Sequence, residues 1–243
     1  MAARDDLVVA QGYFGHVLYQ YNVKTKKINK KELGTYKGHV SRNIFMDHRG
    51  HVYGIRARLA SSQEAEGVYK LNGDRVRISL TELDTQLREI HDWPLSDYEP
   101  SGDTGSHGIT GFSEMLDGSI VFVTHSGALW RVRMDGRDSQ LERLGWLNPL
   151  GKSYCASLFC PYGDRYVCGF VPQNGQFFWS VFDIRLSRSV LLPFDDASQK
   201  ILTQKGLLVY GCETLDDNSN AYVVGWKVIE RGNGPFIFRL RWE

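Results

Sequence analysis

A turn glycine recurs along this chain, and its spacing limits what the chain can fold into. Four segments run in the order apolar stretch, tight turn with glycine, second apolar stretch. They are residues 43–55 around Gly50, 111–123 around Gly118, 157–167 around Gly163 and 200–210 around Gly206. The glycines are separated by 68, 45 and 43 residues. Tight hairpins need a positive φ, which Gly, Asn and Asp adopt at least cost. A second pattern alternates with these hairpins: Leu18-Tyr19-Gln20-Tyr21, Val68-Tyr69-Lys70-Leu71, Leu129-Trp130-Arg131-Val132 and Phe178-Trp179-Ser180-Val181, with a looser copy at Ala221–Trp226. Period-two alternation predicts a third strand in each unit. Arg77–Leu80, Ser189–Leu192 and Phe236–Leu240 read as fourth strands. The nearest approach to a helical stripe, Leu80–Ile90, allows one short turn.

Four strands per unit at this period predict an all-β chain, a β-propeller of four-stranded blades. About five blades are expected in one domain spanning 1–243, at 1–38, 39–107, 108–154, 155–197 and 198–243. A lone four-stranded meander leaves both faces open, so each blade must pack on the next. That accounts for a strand apolar on both sides, Ile120-Val121-Phe122-Val123. Asp47-His48-Arg49-Gly50-His51-Val52-Tyr53 resembles the D-x-x-G hairpin of two-component-regulator-type and YVTN-type propeller repeats. His16–Thr25 is similar to the L-Y-x-Y-[D/N]-x-x-T segment of such repeats. Gly38-His39 stands where a WD40 repeat carries Gly-His, but no Trp-Asp dipeptide follows anywhere, so the chain departs from that pattern. The resemblance implies a fold and carries no function with it.

One period before Gly50 lies the start of the chain. Leu7–Ala10, Val17–Asn22 and Ile28–Leu33 supply second, third and fourth strands, and the first blade is expected to lack its inner strand. Three readings follow: the chain is the C-terminal part of a larger propeller, a partner protein or second chain closes the open end, or irregular segments complete the ring.

Composition prunes the function classes. With 29 Lys and Arg against 28 Asp and Glu, the formal charge is +1 and no bulk field recruits nucleic acid. No apolar run approaches the ~18 residues of a membrane span, so no membrane insertion is expected. Met1–Asp6 lacks the apolar core of a secretory signal, and a soluble chain with the cytoplasm as favoured compartment is expected. Cys155, Cys160, Cys168 and Cys212 form no CxxC pair, so they read as small buried hydrophobes. The basic run Lys24–Lys31 reads as a solvated hairpin tip, and the single Asp103-Thr104-Gly105 as coincidence. No G-x-S-x-G elbow, P-loop or dinucleotide fingerprint occurs.

The insertion that lengthens one repeat, Ile90–Gly108, reads as a lid or binding loop. The main functional expectation is a non-catalytic binding module whose loop face takes a protein or a carbohydrate-like small molecule, with no cofactor. Tyr13, Phe14, Tyr36, Trp93, Tyr98 and Tyr154 would be contact anchors, with Arg42, Arg56 and Arg58 as charged contacts. The alternative is a metal-assisted lyase or hydrolase at the channel mouth. There His39, His107 and His125 would bind a divalent metal, Asp103 would complete the set, and Tyr154 or Asp103 would serve as acid or base. The plainer reading of these histidines, and of His16, is hydrogen bonding to loop backbone.

Overall fold

The computed structural model describes residues 1–243 except 13–15, 39–40, 42, 97, 99–107, 136–137, 156–157, 161–163, 204–207, 212–215, 217, 219, 230–231 and 241–243. The chain divides into two compact units, Met1–Ile109 and Thr110–Glu243.

In the first unit, β1 (Ala2–Arg4), β2 (Leu7–Gln11), β3 (Val17–Asn22) and β4 (Ile28–Glu32) form an antiparallel sheet in that order. The expectation that this blade lacks a strand is corrected: Ala2 pairs with Val9 and Arg4 with Leu7. Ala-Ala-Arg has no apolar pattern to reveal it, and a short edge strand needs only its backbone bonds.

The second sheet holds β5 (Phe45–Met46), β6 (Val52–Leu59), β7 (Val68–Leu71), β8 (Asp74–Leu83) and β9 (Glu89–Pro94). Its order is β5-β6-β8-β7, with β9 also on β8. Val68–Leu71 therefore lies outside Arg77–Leu80 rather than inside it. The cause is the pairing of β6 with β8, Val52–Leu59 against Val76–Leu83, while Asn72 and Gly73 take φ of 49° and 90°, the pair of positive angles that a two-residue hairpin turn demands. That turn folds β7 back on the first half of β8, and β9 pairs with the second half, Ser79–Leu83. The expected loop at Ile90–Gly108 is corrected in its first part, since His91, Asp92 and Trp93 are strand residues. Val9, Leu18, Leu33, Ile44, Met46, Val52, Leu83 and Leu87 form one apolar cluster that packs these two sheets together.

The second unit begins with the sheet β10 (Ile109–Glu114), β11 (Ile120–Thr124), β12 (Ala128–Asp135) and β13 (Asp138–Trp146). Next come β14 (Leu158–Phe159), β15 (Tyr166–Gln173), β16 (Gln176–Asp183) and β17 (Arg188–Pro193), again in sequence order. A last sheet has, among the described residues, β18 (Leu208–Gly211), β19 (Ala221–Ile229) and β20 (Gly232–Leu240). One cluster, with Val121, Val123, Leu129, Leu158, Val167 and Phe182, packs the first two of these sheets. Another, with Phe159, Phe170, Trp179, Leu202, Ala221 and Val223, joins the second to the third. A row of rings crosses the first sheet: Phe112 to Phe122 at 5.7 Å, then Phe122 to Trp130 at 6.4 Å. The Arg143 guanidinium closes the row, 5.6 Å from Trp130 and 4.5 Å from Trp146.

Lys200–Thr203, expected as a strand, instead ends the one helix among the described residues, α1 (Asp196–Leu202). Asp195 caps it by accepting the Ser198 N–H at 2.9 Å. Gln199 holds it to the sheet, accepting the Phe177 N–H at 3.1 Å and donating to the Phe177 carbonyl at 2.5 Å.

The hairpin turns expected at Gly50 and Gly118 form, Gly163 and Gly206 lie outside the described residues, and a turn of the same closure recurs at Asp216, where no turn glycine was expected. Asp47 N–H donates to the His51 carbonyl, Met115 to Ser119, and Asp216 to Asn220. Gly50 and Gly118 take φ of 77° and 82° at matching places.

Candidate functional site

The densest polar chemistry lies on the second sheet, where its residues are set by strand register. Tyr53 on β6 stands opposite Glu82 on β8, which stands opposite His91 on β9. Cross-strand partners share a face, so the three form a polar row. The β5–β6 turn adds Asp47, Arg49 and His51. Asp47 builds that turn, its Oδ1 accepting the N–H groups of Arg49 and His51 at 2.9 Å each. Its other oxygen accepts Arg49 Nε at 2.8 Å.

Glu82 is the hub. Its Oε1 accepts Arg49 Nη2 at 2.9 Å, His51 Nδ1 at 2.8 Å and the Tyr53 hydroxyl at 3.0 Å, and its Oε2 accepts His91 Nδ1 at 2.9 Å. Arg49 Nη2 also donates to the Tyr53 oxygen at 2.7 Å. Both carboxylates are buried, with side-chain exposures of 0% at Asp47 and 1% at Glu82. Burial alone would push the Glu82 carboxyl up. The bonds from His51, His91 and Tyr53 and the Arg49 charge outweigh it and hold the group below its ordinary value. Burial, then the Glu82 and Asp47 charges, push the Tyr53 phenol far up, so it stays protonated and donates.

A ligand atom each from Asp47, His51 and Glu82 lie within 4.8 Å of one another, a spacing that could hold a metal ion. Arg49 already fills the cation's place, 2.7 Å from Asp47 and 2.9 Å from Glu82. A metal would have to displace it, so the side chains as arranged fit a self-neutralising ion cluster and not a metal centre. The sequence reading took Asp47–Tyr53 as a fold motif only. The usable signal was Glu82, an acid inside the apolar run Ile78–Leu83, since a buried charge requires partners.

The predicted contact residues fall elsewhere. Tyr36 is buried and its hydroxyl accepts Asn72 Nδ2 at 3.2 Å. Tyr98 is fully buried, and its N–H donates to the Tyr69 hydroxyl at 2.9 Å. Both are core side chains. Arg56 donates to the Leu33 carbonyl at 2.7 Å and pairs with Glu89 and with Asp92, the latter at 3.4 Å. Arg58 pairs with Glu64, and this bond, with the Ser61 N–H, holds the Glu64 carboxyl at about 2. Trp93 stacks on His91 at 4.7 Å. In the second unit, Tyr154 tilts against His125 at 5.2 Å, and burial lowers the His125 pKa. His16 follows the plainer reading, buried with Nε2 2.8 Å from the Gly38 carbonyl. Tyr13, Phe14, His39, Arg42, Asp103 and His107 lie outside the described residues. Cys155 and Cys168 are buried, and burial pushes the Cys168 thiol up to about 12.

A cleft of about 730 Å³ opens in the second unit between the end of β13 and the edge strand β17. Its walls include Trp146, Pro149, Phe182, Val190 and Leu191, and among the described residues its only charged lining residue is Arg188. Ser189 Oγ donates to the Trp146 carbonyl at 3.3 Å and Ser180 Oγ, on β16, donates to the Leu147 carbonyl, fixing the end of β13 against β16 and β17. No helix among the described residues is long and apolar enough to cross a membrane.

No family model matches the chain, and no curated protein does. Solved structures are similar to it in fold. Dihydro-heme d1 dehydrogenase NirN in complex with DHE matches at 14% identity and TM-score 0.52, over 97% of this chain and 44% of that one. A PL25 ulvan lyase matches at 12% identity and TM-score 0.49, over 98% and 67%. An oligogalacturonate lyase in complex with manganese matches at 11% and 0.49, over 97% and 59%. The chain thus spans less than half the length of the first of these. With its four-stranded antiparallel sheets packed face to face, the chain has the β-propeller fold.

Proposed function

We propose that this chain is a binding module without chemistry of its own, and that its ligand sits in the cleft between β13 and β17. The cleft carries the reading. Its volume is in the range of ligand sites, roughly 300–1,000 Å³, and its makeup is the usual one of apolar walls with few polar anchors. Arg188 is exposed and has no side-chain partner among the described residues, so its charge is available to a ligand. The acids of the other polar cluster, Asp47 and Glu82, are already paired with Arg49. Titration of isotope-labelled protein with naphthalenesulfonate, a planar aromatic anion, tests the cleft. The Trp146 indole and the Arg188 and Leu191 amides are expected to shift together, and Arg188→Ala is expected to weaken binding about threefold or more. If those resonances stay still at millimolar probe, the cleft is not a ligand site and the reading fails.

The second reading, a metal-assisted lyase or hydrolase, requires a metal to displace Arg49 from Asp47, His51 and Glu82, whose ligand atoms lie within 4.8 Å of one another. Calorimetric titration with manganese separates the two. Heat of binding that is lost in His51→Ala favours the metal reading, and its absence favours the binding module.

A further inference from the structure

We propose that the cleft's partner is an extended peptide segment of another protein, with one acidic and two apolar residues at alternate positions, which adds to the free edge of β17 as a new strand. This rests on the binding reading of the same cleft and names its occupant.

The lining itself points to a strand edge. Side chains of a strand alternate between faces, so a cleft that sees a sheet face is lined by every second residue. Here the run Ser187-Arg188-Ser189-Val190-Leu191 lines it without a gap. Consecutive residues are all in view only along the edge, where main-chain N–H and C=O groups face outward. β17 ends its sheet, and among the described residues it pairs with β16 alone.

Other features agree. Native edge strands are usually guarded by charges that prevent pairing. The outer strand of the first sheet, β4, follows that rule with exposed Lys30 and Glu32 and half-buried Lys31 at one end. β17 is guarded only at its ends, by Arg188 and Pro193, and between them Val190 is 47% exposed and Leu192 49%. The exposed positions alternate, Arg188, Val190 and Leu192, while Ser189 is buried. An added strand would set an acidic side chain beside Arg188 and apolar ones beside Val190 and Leu192, which is the pairing that stabilises neighbouring strands. Pro193 has no N–H and ends the usable edge. The serine bonds from Ser180 and Ser189 to the end of β13 hold the slot's width before any peptide arrives, so little ordering is left for binding to bring about.

The test uses three synthetic peptides: one with a glutamate and two valines at alternate positions and serines between them, the same sequence with alternate backbone nitrogens methylated, and one with lysine in place of the glutamate. Amide hydrogen exchange of the full chain is read with and without each. The glutamate peptide is expected to slow exchange across residues 188–192, and both others are expected to leave it unchanged. Arg188→Glu is expected to weaken the glutamate peptide about tenfold and to rescue the lysine peptide. Binding of the methylated peptide with equal strength would overturn strand addition while leaving the cleft a ligand site. Failure of all three peptides, with naphthalenesulfonate still bound, would also overturn it and spare the binding reading. Protection of the same amides that rises with protein concentration and no peptide would assign the edge to a second copy, against the proposal.

Discussion

Replacing Glu82 probes whether the polar row on the second sheet holds the fold as its geometry implies. In Glu82→Leu, Arg49 keeps Asp47, but the Tyr53 hydroxyl and the Nδ1 groups of His51 and His91 lose their common acceptor. Breaking a buried ion cluster from one side costs about 3–5 kcal/mol, because the remaining charge and donors stay desolvated. At about 2–4 °C per kcal/mol for a chain of this size, the melting temperature should fall by about 10 °C. Glu82→Gln should be milder, and the reason is specific. Three donors converge on Oε1 and one on Oε2, so the amide oxygen can keep the crowded side. The amide nitrogen then faces His91 Nδ1, which accepts after a change of tautomer. The cost is the lost charge, about 1–2 kcal/mol. The pH dependence gives an internal check. The Glu82 pKa is held below its unfolded value, so its contribution is full above about 4.5. It is lost as the pH falls through the lower native value. That part of the acid slope should vanish in Glu82→Gln. Urea unfolding of the three proteins at neutral and acid pH measures both effects. If Glu82→Leu lies within about 1 kcal/mol of wild type, the row is ornament and the argument from burial is refuted.

Three other outcomes follow from the packing. His16 is buried with a lowered pKa, chiefly through desolvation. It therefore stabilises the fold fully only while neutral, and urea midpoints should drop as the pH falls below about 6.5; His16→Asn, which also accepts the observed positive φ, should flatten that slope. Phe122→Ala removes a fully buried ring from the middle of the aromatic row and should cost about 3–5 kcal/mol by denaturant titration. Gly127→Ala should yield little folded protein by circular dichroism, because its Cβ would lie 2.3 Å from the Ser153 carbonyl oxygen at a φ of +83°; normal folding would mean the loop at 127 can shift freely.

The parts of the fold legible in the sequence were those where each strand carries its own pattern. The hairpins at Gly50 and Gly118 and the strands β3, β12 and β16 fall where alternation and turn glycine placed them. Where the outcome depended on competition between neighbours, local reading failed. β7 shows alternation as good as β8, but only the pairing of Val76–Leu83 with β6 decides which of them is central. α1 is hidden because Lys-Ile-Leu-Thr suits a strand, and the sign of the helix is the capping Asp195 one turn before it. The candidate sites were less legible for a physical reason. Arg56 and Arg58 look like surface cations in one dimension, yet strand register delivers Glu89, Asp92 and Glu64 to them. Nothing in the string places His91 beside Glu82. The β17 cleft depends on two strand ends meeting through serine hydroxyls, which carry no sequence signal of their own.

The recurring turn has a consequence for how the chain reaches this structure. At Asp47, Met115 and Asp216 the closing bond joins residues only four apart, and at Asp47 and Asp216 a carboxylate also grips the backbone inside the loop. Such short closures cost little chain entropy, and hairpins of this kind assemble in roughly 1–10 μs. They can exist before any sheet has met its neighbour. Folding should then start from several independent seeds along the chain, with the slow step the stacking of finished sheets. Asp47→Ala and Asp216→Ala should accordingly retard refolding more than they hasten unfolding.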